Sequence, residues 1–195
     1  VGDEPLMMAA RTPVIVARNR ADGALLAQSM GASIILLDDG FQNPSIEKDL
    51  SLIVIDSFRG LGNGKVFPAG PLRAPLSAQL VRTDALIVVG DGPAADKIAA
   101  AVMAQNHPVL RAYLVPDAAS ISNLQGKSVL AFAGIGDPAR FFRMLRTNGI
   151  SVIKEIPFPD HHSFSLRDVD GLISAAATNA LTLVTTEKDL VRLQS

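Results

Sequence analysis

Cysteine is absent from the 195 residues, which excludes disulfide frameworks, thiolate zinc sites and cysteine nucleophiles, and fits a reducing compartment. Charge of one sign is lacking too. Lys plus Arg number 18 against 19 for Asp plus Glu, a net charge of -1, so no basic field exists to hold nucleic acid nonspecifically or to dock on an anionic membrane. No apolar run approaches the roughly 18 residues of a membrane span, and no charged-then-apolar leader opens the sequence. The first residues are Val1-Gly2-Asp3 rather than methionine, and the expectation is that the natural protein extends upstream. What is present is the composition of a folded protein: 48% hydrophobic and 19% charged residues in a length that serves one large domain or two small ones.

Short apolar, β-branched runs recur at Pro13 to Ala17, Ser33 to Leu37, Leu50 to Ile55, Ala85 to Val89, Val109 to Leu114, Val129 to Ala133, Ser151 to Ile156 and Leu181 to Thr185. Each is continuous rather than alternating, as expected of strands covered on both faces of a parallel sheet. Helical spacing appears between them, at Ala21 to Met30, Pro93 to Gln105, Ala139 to Asn148 and Leu166 to Ala177, with Gly31 and Gly149 placed to stop two of those helices. The pattern predicts an α/β fold with parallel sheets, in which ligands bind at the carboxyl ends of strands. Pro116 to Lys127 lacks a long apolar run and is the expected linker between two α/β units. Ser57 to Pro75, rich in Gly and Pro, is too long for an ordinary connection, and long loops in compact domains are usually functional.

Several local signals carry chemistry, each with a plainer alternative. Ile34 to Leu37 followed by Asp38-Asp39-Gly40 reads as a strand ending in paired acids that hold magnesium and nucleotide phosphates, or as an exposed acidic turn. Gly60 to Lys65 resembles a phosphate loop but lacks the Walker A spacing, which favours a substrate or lid loop. Gly134-Ile135-Gly136-Asp137-Pro138-Ala139, with Glu155 closing the next strand, matches a dinucleotide fingerprint; Pro138 removes a backbone donor there, and the rival reading is a tight turn into a helix capped by Asp137. His161 and His162 directly follow a strand, with Asp160 and Asp3 as candidate orienting carboxylates, against a loop-packing role. Arg18, Arg20 and Arg73 suit phosphate contacts. Thr186-Glu187-Lys188-Asp189 reads either as a helix start or as a polar group at the ligand edge.

Taken in order, these segments resemble the tetraacyldisaccharide 4'-kinase family of lipid A biosynthesis. The likeness runs through Val1-Gly2-Asp3-Glu4-Pro5, Asp38-Asp39-Gly40-Phe41-Gln42, Arg59 to Gly64, Pro68 to Arg73, Ala131 to Gly136, Phe158-Pro159-Asp160-His161 and Thr186 to Asp189, covering essentially the whole sequence. The resemblance implies a P-loop-NTPase-like core, incomplete at its amino end, over residues 1–115, a linker over 116–127 and a smaller α/β domain over 128–195 carrying His161. It implies ATP and Mg2+ as cofactors and an acylated glucosamine disaccharide 1-phosphate as substrate, phosphorylated on its 4'-hydroxyl in a cleft between the domains. Asp3 is then the catalytic base, with His161 orienting it. Asp38 and Asp39 manage the metal, and Arg20, Gln42, Asn43 and Arg73 contact the substrate or its phosphates.

The family's Walker A motif lies upstream of the Gly-Asp-Glu-Pro segment and is not in this sequence, so the nucleotide-binding residues are unassigned and the chain alone is expected to be inactive. Asn43 stands where the family usually has His, and Ala74 where it usually has Glu. For the parent enzyme the resemblance implies peripheral attachment at the cytoplasmic face of the bacterial inner membrane, through a segment absent here, this chain itself being soluble. Two other readings remain: a dinucleotide-binding module centred on Gly134, Gly136 and Ala139, and a non-enzymatic relative whose cleft binds an acylated or phosphorylated ligand without turning it over.

Overall fold

The computed structural model describes residues 2–194; Val1, the first residue of the Gly-Asp-Glu-Pro segment as quoted above, lies outside them. Chain contacts form two compact units, one comprising the residues up to Val16 together with those from Pro116 onward, the other running from Ala17 to Val115.

In the Ala17–Val115 unit, three parallel strands lie in the order β1 (Leu52–Asp56), β2 (Ala85–Val89), β3 (Val109–Ala112). The central strand is the most apolar, and its Leu86 and Val88 pack with Ile55 and with Ile98 and Val102 of the helix Asp96–Met103. Helices Arg20–Ser29 and Leu76–Leu80 complete the unit. Asn19 caps the first of these by accepting the Ala21 N–H, and Gly31 ends it at φ 86°, a conformation glycine adopts without steric cost.

In the other unit, β4 (Ser128–Ala133) lies between β5 (Ser151–Pro157) and β6 (Thr182–Val184), all parallel. The central strand explains its own continuous apolar run. Val129, Ala131 and Ala133 pack on Phe142 and Leu145 of the helix Pro138–Thr147, while Leu130 and Phe132 pack on Leu172 and Ala176 of the helix Leu166–Thr178. Both helix starts are capped as their sequences require: Asp137 accepts the Arg140 N–H, and Ser165 and Asp168 form a reciprocal capping box. In chain order the helices are α1 (Asp3–Ala9), α2 (Arg20–Ser29), α3 (Leu76–Leu80), α4 (Asp96–Met103), α5 (Ala118–Leu124), α6 (Pro138–Thr147), α7 (Leu166–Thr178) and α8 (Glu187–Gln194).

The α/β class and the parallel pairing agree with the sequence pattern, and three expectations give way. Pro13 to Ala17 and Ser33 to Leu37 form no strand, because among the described residues neither run has a hydrogen-bonded neighbour; Ile34 and Leu36 stand 78% and 91% exposed. The stretch expected as a linker over 116–127 holds helix α5, capped by Asp117 accepting the Ser120 N–H. And α1, assigned above to the amino-terminal core, packs against α8 and so belongs with the carboxyl-terminal residues.

Candidate functional site

The turn after β4 is the hub of the site. The Gly134 N–H points at the buried Asp189 carboxylate, 3.2 Å from each oxygen. The Gly134 carbonyl accepts the His161 N–H at 3.1 Å and Nη1 of Arg192 at 2.9 Å. Glycine suits this point because a Cβ would sit tightly against His162 Cβ at 3.1 Å, the Pro159 carbonyl at 3.2 Å and Asp189 at 3.3 Å, so its neighbours would have to give way. The Gly134 to Ala139 segment is therefore a close-packed turn into a capped helix, and Glu155, its candidate ribose ligand, is ion-paired with Arg146 at 2.6 Å.

Two separate sequence segments bring the candidate acid and imidazole to this hub. His161 sits in the left-handed region at φ 55°, unusual for a residue with a side chain, and is held there by its N–H bonds to Gly134 and to Asp160 Oδ1. Its Nδ1 lies 3.3 Å from Asp3 Oδ2, on the first turn of α1. The pairing expected of Asp3 and His161 is present in the geometry, yet both residues lie within one unit rather than facing each other from two.

Asp3 is surrounded by positive charge. Its Oδ2 is 3.0 Å from Arg192 Nε and 3.9 Å from Lys188 Nζ, and its Oδ1 accepts the Glu4 N–H. Burial pushes the Asp3 carboxyl upward, but Lys188 and Arg192, the Glu4 N–H and His161 together hold it below the ordinary carboxylate value. The ring of His161 remains 59% exposed, so the pair opens to solvent on the imidazole side. His162 has a different task. It stacks on Phe158 and contacts Asp168 at 3.2 Å; Asp168 in turn is held below its usual range first by the Ser165 hydroxyl, then by the Ser165 N–H and His162.

The other predicted site residues lie in the Ala17–Val115 unit. Asp38 and Asp39 stand on a turn rather than at a strand end, with Asp39 at φ 51° and its Oδ2 paired with Arg73 at 2.6 Å. A predicted metal ligand and a predicted phosphate ligand thus meet each other. Gln42 donates to Gln79, which donates to the Ala74 carbonyl; Asn43 accepts from the N–H and hydroxyl of Ser45, a local turn. Arg20 opens α2. The long loop is tied internally: Asp56 accepts the Phe58 and Arg59 N–H groups, Asn63 donates to the Ala69 carbonyl, and Val66 pairs with Leu72.

Among the described residues no three His, Cys, Asp or Glu side chains come together as a metal cage. Magnesium is characteristically held by one or two carboxylates with phosphates and water completing the shell, and the exposed Asp38 with Asp39 fits that limited donor set. Sequence reasoning missed Arg192 and did not resolve Asp189. The available signal was the i,i+3 spacing of Asp189 and Arg192, which puts an acid and a guanidinium on one helix face.

The family model described as Tetraacyldisaccharide-1-P 4'-kinase matches residues 1–195. The chain belongs to this family. Among its relatives, the tetraacyldisaccharide 4'-kinase of Nitrobacter winogradskyi is 64% identical over 195 residues, covering 100% of this chain and 58% of that protein. That of Bradyrhizobium diazoefficiens is 64% identical over 194 residues, covering 100% and 57%. A solved family structure, the "apo" form of LpxK from Aquifex aeolicus in complex with ATP, superposes with a TM-score of 0.67 at 27% identity, covering 100% of this chain and 60% of that one. The chain thus spans somewhat under three-fifths of the length of the curated tetraacyldisaccharide 4'-kinases it matches. Among the described residues no helix is long and apolar enough to cross a membrane.

Proposed function

We propose that this chain forms part of an ATP- and Mg2+-dependent kinase that phosphorylates the 4'-hydroxyl of tetraacyldisaccharide 1-phosphate, a step of lipid A biosynthesis. The observation that carries the reading is the Asp3–His161 contact, in a chain whose relatives are named as that kinase. A sugar hydroxyl must lose its proton as it attacks the terminal phosphate. Asp3 takes that proton, and His161, whose Nδ1 lies 3.3 Å from Asp3 Oδ2, orients the carboxylate.

The depressed basicity of Asp3 is compatible with this role. Phosphoryl transfer proceeds through a loose transition state in which positioning and charge stabilisation outweigh covalent help, so a carboxylate kept ionised by its neighbours and held in place can serve as the acceptor. Asp38 and Asp39 would hold the magnesium ion, which neutralises charge on the transferring phosphates. Arg73, already paired with Asp39, and Arg20 offer guanidinium groups to phosphates, with Gln42 and Asn43 contacting the substrate. Attachment to the cytoplasmic face of the bacterial inner membrane suits an acylated substrate.

The experiment uses the complete gene product carrying this sequence, with ATP and tetraacyldisaccharide 1-phosphate. ATP-dependent formation of the 4'-phosphate is expected, with loss on the order of a thousandfold in Asp3→Ala, the scale for removal of a positioned proton acceptor. No product from the folded wild-type protein overturns the reading. Near-normal turnover in Asp3→Ala removes Asp3 from the mechanism.

A further inference from the structure

Arg192 is a buried cation that the proposed chemistry does not use. Only 11% of its side chain is exposed, as is 11% of Asp3, and its partner Asp189 is fully buried. The guanidinium spends its nitrogens on separate pieces of the site. Nε faces Asp3 Oδ2 at 3.0 Å, Nη2 faces Asp189 Oδ1 at 3.2 Å, and Nη1 donates to the Gly134 carbonyl at 2.9 Å and, at 3.3 Å, to that of His162. These partners come from α1, from α8 itself, from the turn after β4 and from the loop after β5.

We propose that Arg192, anchored by Asp189, is the positioning residue of the Asp3–His161 pair, fixing the carboxylate of α1 and the loop that presents the imidazole against a single guanidinium plane. The assignment rests on the reading of Asp3 as proton acceptor given above. A guanidinium suits the task because its rigid fork reaches several acceptors in fixed directions. Lys188 contributes charge from 3.9 Å but is engaged at 2.9 Å with Glu4. Asp189 is locked in turn, its Oδ2 accepting the Thr186 hydroxyl at 2.7 Å and its N–H donating back to that hydroxyl. The Thr186 to Asp189 motif is therefore a helix start whose acid orients an arginine one turn later.

The charged and titratable groups facing Asp3 are Glu4 on its own helix, His161 with Asp160 behind it on the loop after β5, and Lys188 and Arg192 on α8, with Asp189 beyond Arg192. Removing the Arg192 charge leaves Asp3 partly buried with less compensation, so its proton is lost at higher pH.

The test measures kcat, the KM for ATP and the pH profile of kcat/KM in the complete gene product carrying Arg192→Gln, Arg192→Lys or the control Arg11→Gln, whose partner Glu187 makes an exposed pair. Arg192→Gln is expected to lower kcat on the order of a hundredfold, the scale of a misplacement of about 1 Å, with little change in the KM for ATP and with the acid limb of the profile moved to higher pH. Arg192→Lys restores the position of the acid limb and most of kcat, and Arg11→Gln behaves as wild type. Wild-type kcat and an unmoved limb in folded Arg192→Gln overturn the assignment. So does a fall in kcat that Lys fails to rescue with the limb unmoved, since that is loss of packing alone. Should Arg192→Gln not fold, nitrogen-15 NMR of the Arg192 guanidinium in the wild-type protein decides: an Nε–H signal that shifts as the Asp3 carboxyl titrates, with that response lost in Asp3→Asn, supports the assignment, and a signal indifferent to both overturns it. An inactive wild-type enzyme, or an active Asp3→Ala, would instead defeat the underlying reading of Asp3.

Discussion

Asp3 and Arg192 lie 189 positions apart in sequence, yet they form an ion pair at 3.0 Å in which each side chain is only 11% exposed. This contact ties α1 to α8 and makes the amino-terminal helix part of the sheet unit built by the carboxyl-terminal residues. A buried pair of this kind is costly to break on one side, because the remaining charge is left uncompensated. Its consequences are therefore measurable in stability as well as in turnover.

The first prediction concerns pH. Asp3 is held below its ordinary value of 3.8, so its contribution to stability is fully present above that value and is lost as pH falls through the lower, folded-state pKa. Stability followed by circular dichroism is expected to be lower in Asp3→Asn than in wild type at neutral pH and to fall less steeply below pH 3.8, so that the two curves converge in acid. Parallel curves would contradict this.

Ser165→Ala removes one half of the capping box that starts α7, and a loss of about 1 kcal/mol in denaturant unfolding is expected. Because Asp168 also receives His162, the histidine C–H resonances of residue 162 should shift in the same variant.

Leu130 is fully buried at the centre of β4, against Leu172 and Ala176. Leu130→Ala is expected to cost about 2–5 kcal/mol in equilibrium unfolding, the range for a buried leucine whose cavity does not collapse. A loss below about 1 kcal/mol would place the core of that unit elsewhere.

Arg73 and Asp39 form an ion pair with side chains 61% and 57% exposed, a kind that contributes between about 0 and 1 kcal/mol. Arg73→Gln is thus expected to leave the melting temperature nearly unchanged while reducing phosphate transfer by the complete gene product. An unaltered rate would show that Arg73 serves neither phosphate nor substrate.

The Gly134 turn supplies the last prediction. With Glu155 paired to Arg146 and Gly134 enclosed by His162, Pro159 and Asp189, titration with NAD or FAD is expected to give no saturable binding. Saturable binding abolished by Gly136→Val would restore the dinucleotide reading.

Much of this architecture was legible in local pattern. The β4 run from Val129 to Ala133 announced a strand covered on both faces, and Gly31 and Gly149 marked helix ends that the structure places at φ 86° and 78°. The apolar runs at 13–17 and 33–37 carry the same signal without the outcome, because strand formation is a property of a pair and these runs lack a partner among the described residues. Asp3 and His161 could be named from motifs that resemble a family. Arg192 could not, since its meaning lies in tertiary distances: a single arginine in a terminal helix reads as a solvated side chain until Asp3, Asp189 and the Gly134 carbonyl are seen around it.

The bare stretch at Ile34 and Leu36 has a practical corollary. Uncovered greasy side chains favour intermolecular association, so this polypeptide handled by itself at high concentration is expected to self-associate. Replacing those two positions with lysine or glutamate is the direct route to a well-behaved sample for biophysics on the Asp3–Arg192 unit, which does not contain them.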